Sequence, residues 1–472
     1  MRCRQGSRVR STAGPILGIA AFAVAGLFAV ASPLGTTSAR GAEKPARLGV
    51  YYFGGWSGTL SNFHFTGLLA DPYAGRQPLY GWLDNTTQTM RTQLYWANRM
   101  GADFFNFLWY YRPERYEDPF LNRALGNYVA LEDHQGVGFA ITYTNESGFV
   151  IPRDEWRAIA EQWVTRYFSH ADYVRVAGKP VLFVLEGNSF FEQLGGDPFG
   201  GEERGDANVN AALDELRQVA RAHGLPGVFV VAGRYTPWNF DWEYFPEPFR
   251  GESWDAVTQF TYPALAGIGI GERPFSALAS AAREMWDRTA ARTDRPYIPA
   301  VTVGWDPRPW QQRVDFELYR FWFRRSPDEV GQVVRDAVAW ASRNPQMRVD
   351  SGPPLVLLSA WNELGEGAYL VPTRQDGFAY GQAIASALGL SWAPQKRALS
   401  VVVRGTGSVR VNGSRCPRPC SRVFDEGLVA ALRAQPARGY RFRGWSGACS
   451  GRKPTCTVLM DRARSAVARF AH

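Results

Sequence analysis

Short apolar runs alternate with amphipathic segments along most of this chain. The apolar runs are rich in β-branched and aromatic residues, which predicts strands at residues 47–53, 102–109, 136–143, 180–185, 227–232, 256–262, 297–303 and 354–360. Segments with a helical period separate them and predict helices at residues 87–100, 118–133, 154–169, 208–223, 275–288, 327–342 and 377–388. This alternation is typical of βα units around a parallel sheet.

The number of units favours a closed barrel over an open sheet. Eight predicted strands, complete near residue 390, match a (β/α)8 or TIM barrel, an α/β fold, which we place at residues 43–393. The alternative is an open, doubly wound sheet. Its G-x-G-x-x-G loop is missing after the first strand, where the sequence reads Tyr52-Phe53-Gly54-Gly55-Trp56. The link at residues 235–255 is aromatic and rich in proline, and we expect a structured loop there.

After Pro394 the pattern changes to short strands separated by glycine-rich turns. Strands predicted at residues 399–404, 407–411, 428–432, 457–460 and 466–470 indicate a small all-β domain at residues 394–472, here called the C-terminal module. Apart from Cys3, all cysteines lie in this module, at Cys416, Cys420, Cys449 and Cys456. An even set indicates two disulfides formed outside the cytoplasm. A zinc site is the alternative, but C-x3-C and C-x6-C are unusual zinc spacings, and no histidine lies among them.

The first 42 residues have the order of an export signal peptide. An uncharged apolar run at residues 13–31 follows four arginines, Arg2, Arg4, Arg8 and Arg10, and precedes a stretch of small residues. Cleavage could follow Ala31 or Ala39. Because a run of roughly 19 apolar residues nearly spans a bilayer, a retained anchor is the alternative. We expect a secreted, extracellular protein, or one anchored at the cell surface if the segment is not removed.

The positive charge is confined to the two ends of the chain. The whole chain carries +9, whereas residues 395–472 hold 16 Lys and Arg against 3 Asp and Glu, and residues 1–42 hold 5 Arg and no acid. The region between them therefore carries a net charge of −9. Since the barrel is acidic, the charge argues against a nucleic-acid enzyme. An anionic cell-wall polymer is a candidate partner of the C-terminal module, and a soluble spacer is the alternative role.

In a (β/α)8 barrel the active site lies at the carboxyl ends of the strands. Aromatic rings, amides and carboxylates dominate these positions, as in sugar-binding clefts, where rings stack on sugar faces and polar groups bind hydroxyls. We therefore predict substrate contacts from Tyr51, Tyr52, Trp56, Trp109, Tyr110, Asn145, Glu146, Tyr262, Trp305, Asp306, Trp361 and Asn362. Core packing is the alternative for the aromatic residues, and a loop cap is the alternative for Asn145 and Glu146.

Glu363 and Glu366 are the candidate catalytic pair. Cleavage of a glycosidic bond requires an acid that protonates the departing oxygen and a second carboxylate on the other face of the sugar. The two glutamates follow the eighth predicted strand, and a sharp turn through Leu364 and Gly365 would bring both to one cavity. The five histidines form no H-x3-H or H-E-x-x-H pattern, so we predict no catalytic metal and no cofactor.

The segment Trp361-Asn362-Glu363-x-x-Glu366-Gly367 resembles the signature of the WbsX-like proteins and of the related glycoside hydrolase family 99, which contains endo-acting α-mannosidases and α-mannanases. The resemblance spans roughly residues 47–390. It implies that Glu366 is the general acid/base at the glycosidic oxygen. It also implies that Glu363 takes the proton of the sugar 2-hydroxyl, so that the reaction passes through a 1,2-anhydro intermediate with net retention. Glu366 would then have to be protonated near neutral pH.

Two departures from that motif concern the walls around the carboxylates. Leu364 and Gly365 replace the second tryptophan of the motif and its neighbour, and Thr144 precedes Asn145 and Glu146 where relatives often have alanine. The sugar is therefore less closely defined than the reaction.

The C-terminal module has a resemblance of its own. Its segment Phe442-Arg443-Gly444-Trp445-Ser446-Gly447-Ala448-Cys449 resembles the secreted InlB-type bacterial repeats. That resemblance implies two local disulfides, Cys416–Cys420 and Cys449–Cys456.

The predicted function is a secreted, retaining glycoside hydrolase that acts within an α-linked mannose-type or related polysaccharide. The alternatives are a glycosyltransferase of polysaccharide biosynthesis, as some WbsX-like proteins have been described, and a non-catalytic glycan-binding barrel. A nucleotide-binding domain and a D-x-D metal motif are both missing, and export removes the chain from nucleotide-sugar pools. We expect a monomer whose partner is a polysaccharide or oligosaccharide, with no nucleic-acid partner and no membrane span in the mature chain.

Overall fold

The computed structural model describes residues 44–60, 64–65, 67–111, 120–146, 148–187, 190, 203–234, 253–267, 269–310, 320–416 and 418–472. The predicted export signal and most of the predicted loop at residues 235–255 lie outside the described residues. Within the described part of the chain, no helix is both long and apolar enough to cross a membrane. Lys44–His472 form one compact unit.

Eight parallel strands of the described chain form a nearly closed barrel, which confirms the predicted fold class. They are β1 (Arg47–Tyr52), β2 (Phe104–Trp109), β3 (Gly138–Tyr143), β4 (Lys179–Val184), β5 (Phe229–Ala232), β6 (Ala256–Thr258), β7 (Tyr297–Ile298 and Ala300–Thr302) and β8 (Leu355–Ser359). The barrel closes where β1 pairs with β8 as well as with β2, so that Val50 lies opposite both Phe105 and Leu358. Nearly all strand residues are buried, as in parallel sheets covered on both faces.

The seventh strand is divided at Pro299. Tyr297–Ile298 pairs with β6, whereas Ala300–Thr302 pairs with β8. Proline has no N–H to donate to a strand ladder, but the Pro299 carbonyl still accepts a hydrogen bond from the Leu357 amide at 3.0 Å. The continuous strand predicted at residues 297–303 is therefore two segments, each serving one neighbour. The predicted sixth strand is also shorter than expected, since it ends at Thr258, and a 3-10 turn follows at Pro263–Ala266.

Helices follow most of the strands. They are α1 (Thr87–Met100), α2 (Arg123–Val129), α3 (Trp156–Trp163), α4 (Glu203–Ala222), α5 (Phe275–Arg292), α6 (Pro327–Arg343) and α7 (Ala379–Ala387). Helix α1 has the predicted bounds because the Thr86 side chain caps its start and Gly101, with φ of +98°, ends it. Helix α2 is shorter than predicted, and α3 continues into a π-helical turn at Val164–Phe168.

Several short elements were not predicted. Parallel strands Gly271–Pro274 and Phe321–Arg324 pair with each other outside the barrel, and Arg175–Val176 pairs with the start of β4. Asn362–Glu363 and Ala368–Tyr369 form an antiparallel hairpin after β8. The remaining short helices are Gly67–Ala70, Tyr73–Arg76, Pro263–Ala266, Arg308–Trp310 and Pro345–Met347.

The C-terminal module consists of two four-stranded sheets. Its strands are β9 (Lys396–Arg404), β10 (Gly407–Val411), β11 (Ser414–Arg415), β12 (Cys420–Asp425), β13 (Val429–Pro436), β14 (Arg441–Gly447), β15 (Thr455–Leu459) and β16 (Arg464–Ala471). The sheet orders are β12-β9-β16-β14 and β11-β10-β13-β15. Both implied disulfides, Cys416–Cys420 and Cys449–Cys456, are formed. Strand β12 was missed in the sequence because its exposed residues, such as Val423, obscure the alternation.

Glu426 fixes the C-terminal module against helix α1. Its side chain is only 2% exposed and accepts hydrogen bonds from the Tyr95 hydroxyl at 2.7 Å and the Arg397 guanidinium at 2.6 Å. Its backbone oxygen accepts a hydrogen bond from the Trp96 indole at 2.7 Å. A Cβ atom on the following residue, Gly427, would lie 2.4 Å from the Trp96 nitrogen, so glycine is required there. The module is therefore bound to the barrel surface directly.

Replacing Glu426 with alanine removes an acceptor that Arg397 and Tyr95 share. Because hydrogen bonds to charged groups contribute about 1.5–3 kcal/mol, we expect Glu426→Ala to lower the free energy of unfolding by about 2 kcal/mol or more, measured by chemical denaturation. Glu426→Gln keeps an oxygen acceptor and should lose less. Equal stability of the alanine variant and the wild type would contradict this docking.

Candidate active site

The segment after β8 forms a tight hairpin, Asn362–Tyr369, here called the glutamate hairpin. Glu363 pairs with Ala368, so the chain reverses through residues 364–367. Both polar groups of the Asn362 side chain bind the backbone of Phe53 at 2.8 Å, and the Trp361 amide donates to the Tyr51 carbonyl at 2.7 Å. The hairpin is therefore fastened to the end of β1, its neighbour in the barrel.

Glu363 and Glu366 line the same cavity, which has a volume of about 220 Å³. The turn needs glycine at two positions, since a Cβ on Gly367 would lie 2.7 Å from Asp306 and a Cβ on Gly365 would lie 2.0 Å from the Trp310 ring. The other residues of the cavity wall are Phe53, His64, Leu108, Tyr110, Leu121, Thr144, Glu146, Phe149, Leu185, Phe260 and Trp310. The turn expected from the sequence thus places both carboxylates on one cavity.

Burial and mutual repulsion raise the pKa values of the carboxyl groups in this cavity. Desolvation, together with the charge of Glu146, raises the pKa of Glu366 to about 8. Desolvation followed by the charges of Glu366 and Glu146 raises the pKa of Glu363 well above its ordinary value. Although Glu146 is exposed, desolvation raises the pKa of its carboxyl as well. The cavity therefore holds carboxyl groups that keep their protons near neutral pH.

Glu363 is the most enclosed of the three. Its side chain is 6% exposed, and no described residue hydrogen-bonds to its Oε2 atom. The Thr144 hydroxyl, also on the cavity wall, likewise has no partner among the described residues. Buried polar groups are normally hydrogen-bonded, so these two atoms are suited to bind a polar ligand.

Trp310 supplies an aromatic wall beside the glutamate hairpin. Its ring lies against Gly365, and its indole nitrogen donates a hydrogen bond to the His64 backbone oxygen at 3.1 Å. The His64 ring lies 5.8 Å from the Trp310 ring and 4.8 Å from the Phe53 ring. Trp310 thus packs directly against the turn of the glutamate hairpin.

Of the twelve predicted substrate-binding residues, Tyr110 and Glu146 line the cavity. The amide of Asn145 exchanges hydrogen bonds with the Glu186 backbone at 2.7 and 3.0 Å, so it connects the loops after β3 and β4. Asn362 holds the glutamate hairpin, and the Trp56 indole donates to the Asn362 carbonyl at 2.6 Å. These residues position the wall and do not form it.

The predicted aromatic contacts lie mostly behind the cavity. Tyr51, Tyr52, Trp56, Trp109, Tyr262, Trp305 and Trp361 are all at most 4% exposed, and none lines it. Tyr52 donates to Asp84 at 2.8 Å, and Trp361 donates to Gln93 at 2.8 Å. Asp84 is fully buried in this network, and desolvation raises its pKa to about 6. The network forms a rigid support under β1 and the hairpin.

Asp306 belongs to a cluster of charged residues beside the glutamate hairpin. Arg308 donates to its carboxylate at 2.7 and 2.8 Å, and Arg76 also pairs with it. Burial alone would raise the pKa of Asp306, but the hydrogen bonds from Arg308 and the charges of both arginines hold it below its ordinary value. Asp306 is therefore an ionised structural residue.

The sequence analysis missed Phe53, His64, Thr144, Phe260 and Trp310 as cavity residues. For the extended segments, the alternation of side chains could have predicted which residues face the cavity, because successive side chains point to opposite faces of a strand. Thr144 and Glu146 line the cavity while Asn145 does not, and Phe53 lines it while Tyr52 does not. Nothing comparable marked His64 or Trp310, which reach the cavity from loops.

One group of three side chains among the described residues could hold a metal ion, namely His134, His170 and Asp172. None of them lines the cavity. His134 contacts Asp172 at 2.8 Å through Nδ1 and the Tyr128 carbonyl at 2.9 Å through Nε2. Both ring nitrogens of His134 are therefore already in contact with protein oxygen atoms.

The raised pKa of Glu366 makes a prediction about stability. A carboxyl that holds its proton more tightly when folded costs stability as the pH rises from the ordinary pKa of about 4.5 towards the folded value of about 8. Glu366→Gln removes this cost. We expect its melting temperature to exceed that of the wild type by about 2 °C or more at pH 8, and the difference to shrink at pH 5. Glu132→Gln, at an exposed position, is the matched control. A pH-independent difference would contradict the raised pKa.

Comparison with known proteins agrees with this architecture. The model of the family described as glycosyltransferase WbsX matches residues 76–384, and that of the divergent InlB B-repeat domain matches residues 399–472. A solved structure described as a glycoside hydrolase-like protein has 13% identity and a TM-score of 0.50, covering 74% of this chain and 95% of its own. The GH99 endo-alpha-mannosidase of Bacteroides thetaiotaomicron has 13% identity and a TM-score of 0.45, covering 72% and 95%.

At such identities the likeness to solved structures concerns the fold alone, and the curated proteins contain no match. The family match is of a different kind, because it extends over more than half of the chain and includes the glutamate hairpin. The chain therefore belongs to the WbsX family and carries a divergent InlB B-repeat domain at its C-terminal end.

Proposed function

We propose that this protein is a secreted glycoside hydrolase that uses Glu363 and Glu366 to cleave a neutral polysaccharide. One observation carries the proposal: two carboxyl groups with raised pKa values lie on one hairpin, in one cavity, at the carboxyl end of a (β/α)8 barrel. Glycosidic-bond cleavage needs a carboxylic acid that remains protonated near neutral pH and a second carboxyl group beside it.

Glu366 is the proposed general acid. With a pKa of about 8, it is mainly protonated at neutral pH and can give its proton to the glycosidic oxygen as the C1–O bond breaks. The sugar 2-oxygen would attack C1 from the other face while Glu363 accepts the 2-hydroxyl proton. Water would then open the 1,2-anhydro sugar, giving a proton to Glu366, and Glu363 would return its proton to the 2-oxygen. Both residues end in their starting states, and the anomeric configuration is retained.

Glu363 must be ionised to act as this base, although burial favours its protonated form. Hydrogen bonds to a carboxylate lower its pKa. A sugar hydroxyl that donates to Oε2, the atom without a partner among the described residues, would supply such a bond. Binding of the sugar would thus prepare the base for the reaction.

The charge of the cavity favours hydrolysis over transfer from a nucleotide sugar. Three carboxyl groups line it, and no arginine or lysine is among its described wall residues. A nucleoside diphosphate brings negative charge that proteins usually bind with arginine, lysine, a metal ion or a helix N-terminus. The family description favours a transferase, so that activity is the second candidate and an outcome of the experiments below.

The substrate we propose is an α-linked mannose-type or related polysaccharide, cleaved within the chain by a monomeric enzyme. The choice of sugar and of endo action follows from the motif at Trp361–Gly367, and the aromatic wall supports a carbohydrate ligand. Phe53, Tyr110, Phe260 and Trp310 all lie on the cavity. Such rings provide flat apolar surfaces for sugar faces.

Loss of either carboxyl group should abolish hydrolysis. We expect Glu366→Gln and Glu363→Gln each to lower kcat by about 100- to 10,000-fold, because acid–base catalysis contributes that much. The measurement is release of reducing ends from α-mannans and other microbial polysaccharides. Glu329→Gln, on the exposed face of α6, is the control and should keep wild-type activity. If wild type and variants bind glycans but are equally inert, the barrel is a binding domain.

Trp310 should affect binding of the sugar more than the chemistry. Loss of one aromatic stacking contact corresponds to roughly 0.5–1.5 kcal/mol, so we expect Trp310→Ala to raise KM about 3- to 10-fold while kcat changes less. Trp310→Phe retains a flat ring and should recover most of the affinity. A drop in kcat alone, with KM unchanged in both variants, would contradict the stacking role.

A further inference from the structure

Three arginines form a row across the second sheet of the C-terminal module. Arg410 of β10 lies opposite Arg415 of β11 on one side and opposite Arg433 of β13 on the other. Residues directly opposite each other in antiparallel strands point to the same face, with Cβ atoms about 4.5–5.5 Å apart. All three side chains are exposed. The row, here called the arginine row, therefore presents three positive charges side by side.

The arginine row is not neutralised within the described part of the chain. None of its members forms an ion pair with a described carboxylate, whereas arginines such as Arg397 and Arg464 do. Like charges placed directly opposite each other destabilise a sheet. A row of this kind is therefore unfavourable for folding alone, and an anionic ligand would remove the repulsion.

Two members of the row, Arg410 and Arg433, border a groove with further hydrogen-bonding groups. A groove of about 570 Å³ is lined by Arg410 and Arg433 together with Gln435, Thr455 and Thr457. Thr455 lies directly opposite Arg433, so it extends the row by one strand. The Arg410 guanidinium is held in place by Gln435 at 3.1 Å and by the Gly413 carbonyl at 2.8 Å. Its remaining N–H groups are free to bind a ligand in a fixed orientation.

We propose that the arginine row, Arg415, Arg410 and Arg433, is a binding site for a linear acidic polysaccharide that lies across the strands. Successive carboxylate or phosphate groups on such a polymer can pair with the guanidinium groups of successive strands, and a guanidinium group can bind such an anion with two hydrogen bonds. Gln435, Thr455 and Thr457 provide partners for sugar hydroxyls between the charges. This assigns part of the positive charge of the module to a defined surface.

The site is separate from the cavity of the barrel and has the opposite charge. The barrel cavity is lined by three carboxyl groups, which disfavour an anionic ligand, whereas the row attracts one. The two surfaces thus select different polymers, or different parts of one heterogeneous cell surface. Binding at the row does not depend on the proposed hydrolysis, and each can fail without the other.

The test compares two triple variants of the full chain with equal loss of charge. Arg410, Arg415 and Arg433 are replaced with Gln in the first. Arg404, Arg438 and Arg452, which are exposed and lie outside the second sheet, are replaced with Gln in the control. Binding to polygalacturonate, to poly(glycerol phosphate) and to neutral dextran is measured at several salt concentrations. Polygalacturonate reports carboxylate recognition, and poly(glycerol phosphate) reports phosphate recognition.

We expect the arginine-row variant to lose affinity for at least one anionic polymer by about tenfold or more. We also expect the slope of log binding constant against log salt concentration to become shallower by about one for each phosphate contact removed. The control variant should stay within about threefold of the wild type, and dextran should not bind. Equal losses in both variants would overturn the proposal, because net charge alone would then explain binding. Double-stranded DNA is measured in parallel as a further polyanion. The proposal would also be overturned if the wild type bound neither anionic polymer, or if it bound DNA as tightly as it binds either of them.

Discussion

Closure of the barrel between β1 and β8 is the constraint on which the candidate site depends. The pairing of Arg47–Val50 with Leu355–Leu358 brings the ends of the first and last strands together. Asn362 can therefore bind the backbone of Phe53, and the glutamate hairpin is held at a fixed place on the rim. Residues more than 300 positions apart in the chain form one wall of the cavity. A slip in this pairing would separate Glu363 and Glu366 from the loops that enclose them.

The buried carboxyl groups of the glutamate hairpin are tolerated because their protonated forms are favoured. Moving a carboxylate out of water is costly, and the protein lowers this cost by keeping the groups protonated. The support under the hairpin, which includes Tyr52, Asp84 and Gln93, is connected by buried hydrogen bonds. Asp306, by contrast, stays ionised because Arg76 and Arg308 surround it. Acidic residues close in space thus occupy different protonation states, which are set by burial and by the charges beside each of them.

The sequence predicted the barrel and the glutamate pair because both depend on local patterns. Apolar runs of the right length occur at all eight strands, and the two glutamates directly follow the last. The division of β7 could also have been predicted, although it was not, because Pro299 has no backbone N–H to donate to a neighbouring strand. Contacts made by loops could not be predicted from local sequence patterns. Trp310, for example, contacts Gly365 only through tertiary packing. The aromatic residues chosen for substrate contact illustrate the same limit, since hydrophobicity alone does not distinguish a ring in the wall from a ring behind it.

The central claim is that the acidic cavity hydrolyses a neutral glycan and does not transfer sugar from a nucleotide. The most direct measurement incubates the purified full chain with a panel of neutral α-mannans and, in parallel, with nucleotide sugars, acceptor glycans and divalent metal ions. We expect new reducing ends from at least one mannan and no release of nucleoside diphosphate above background. Release of nucleoside diphosphate together with elongated glycans, and no new reducing ends, would contradict the claim and identify the barrel as a transferase.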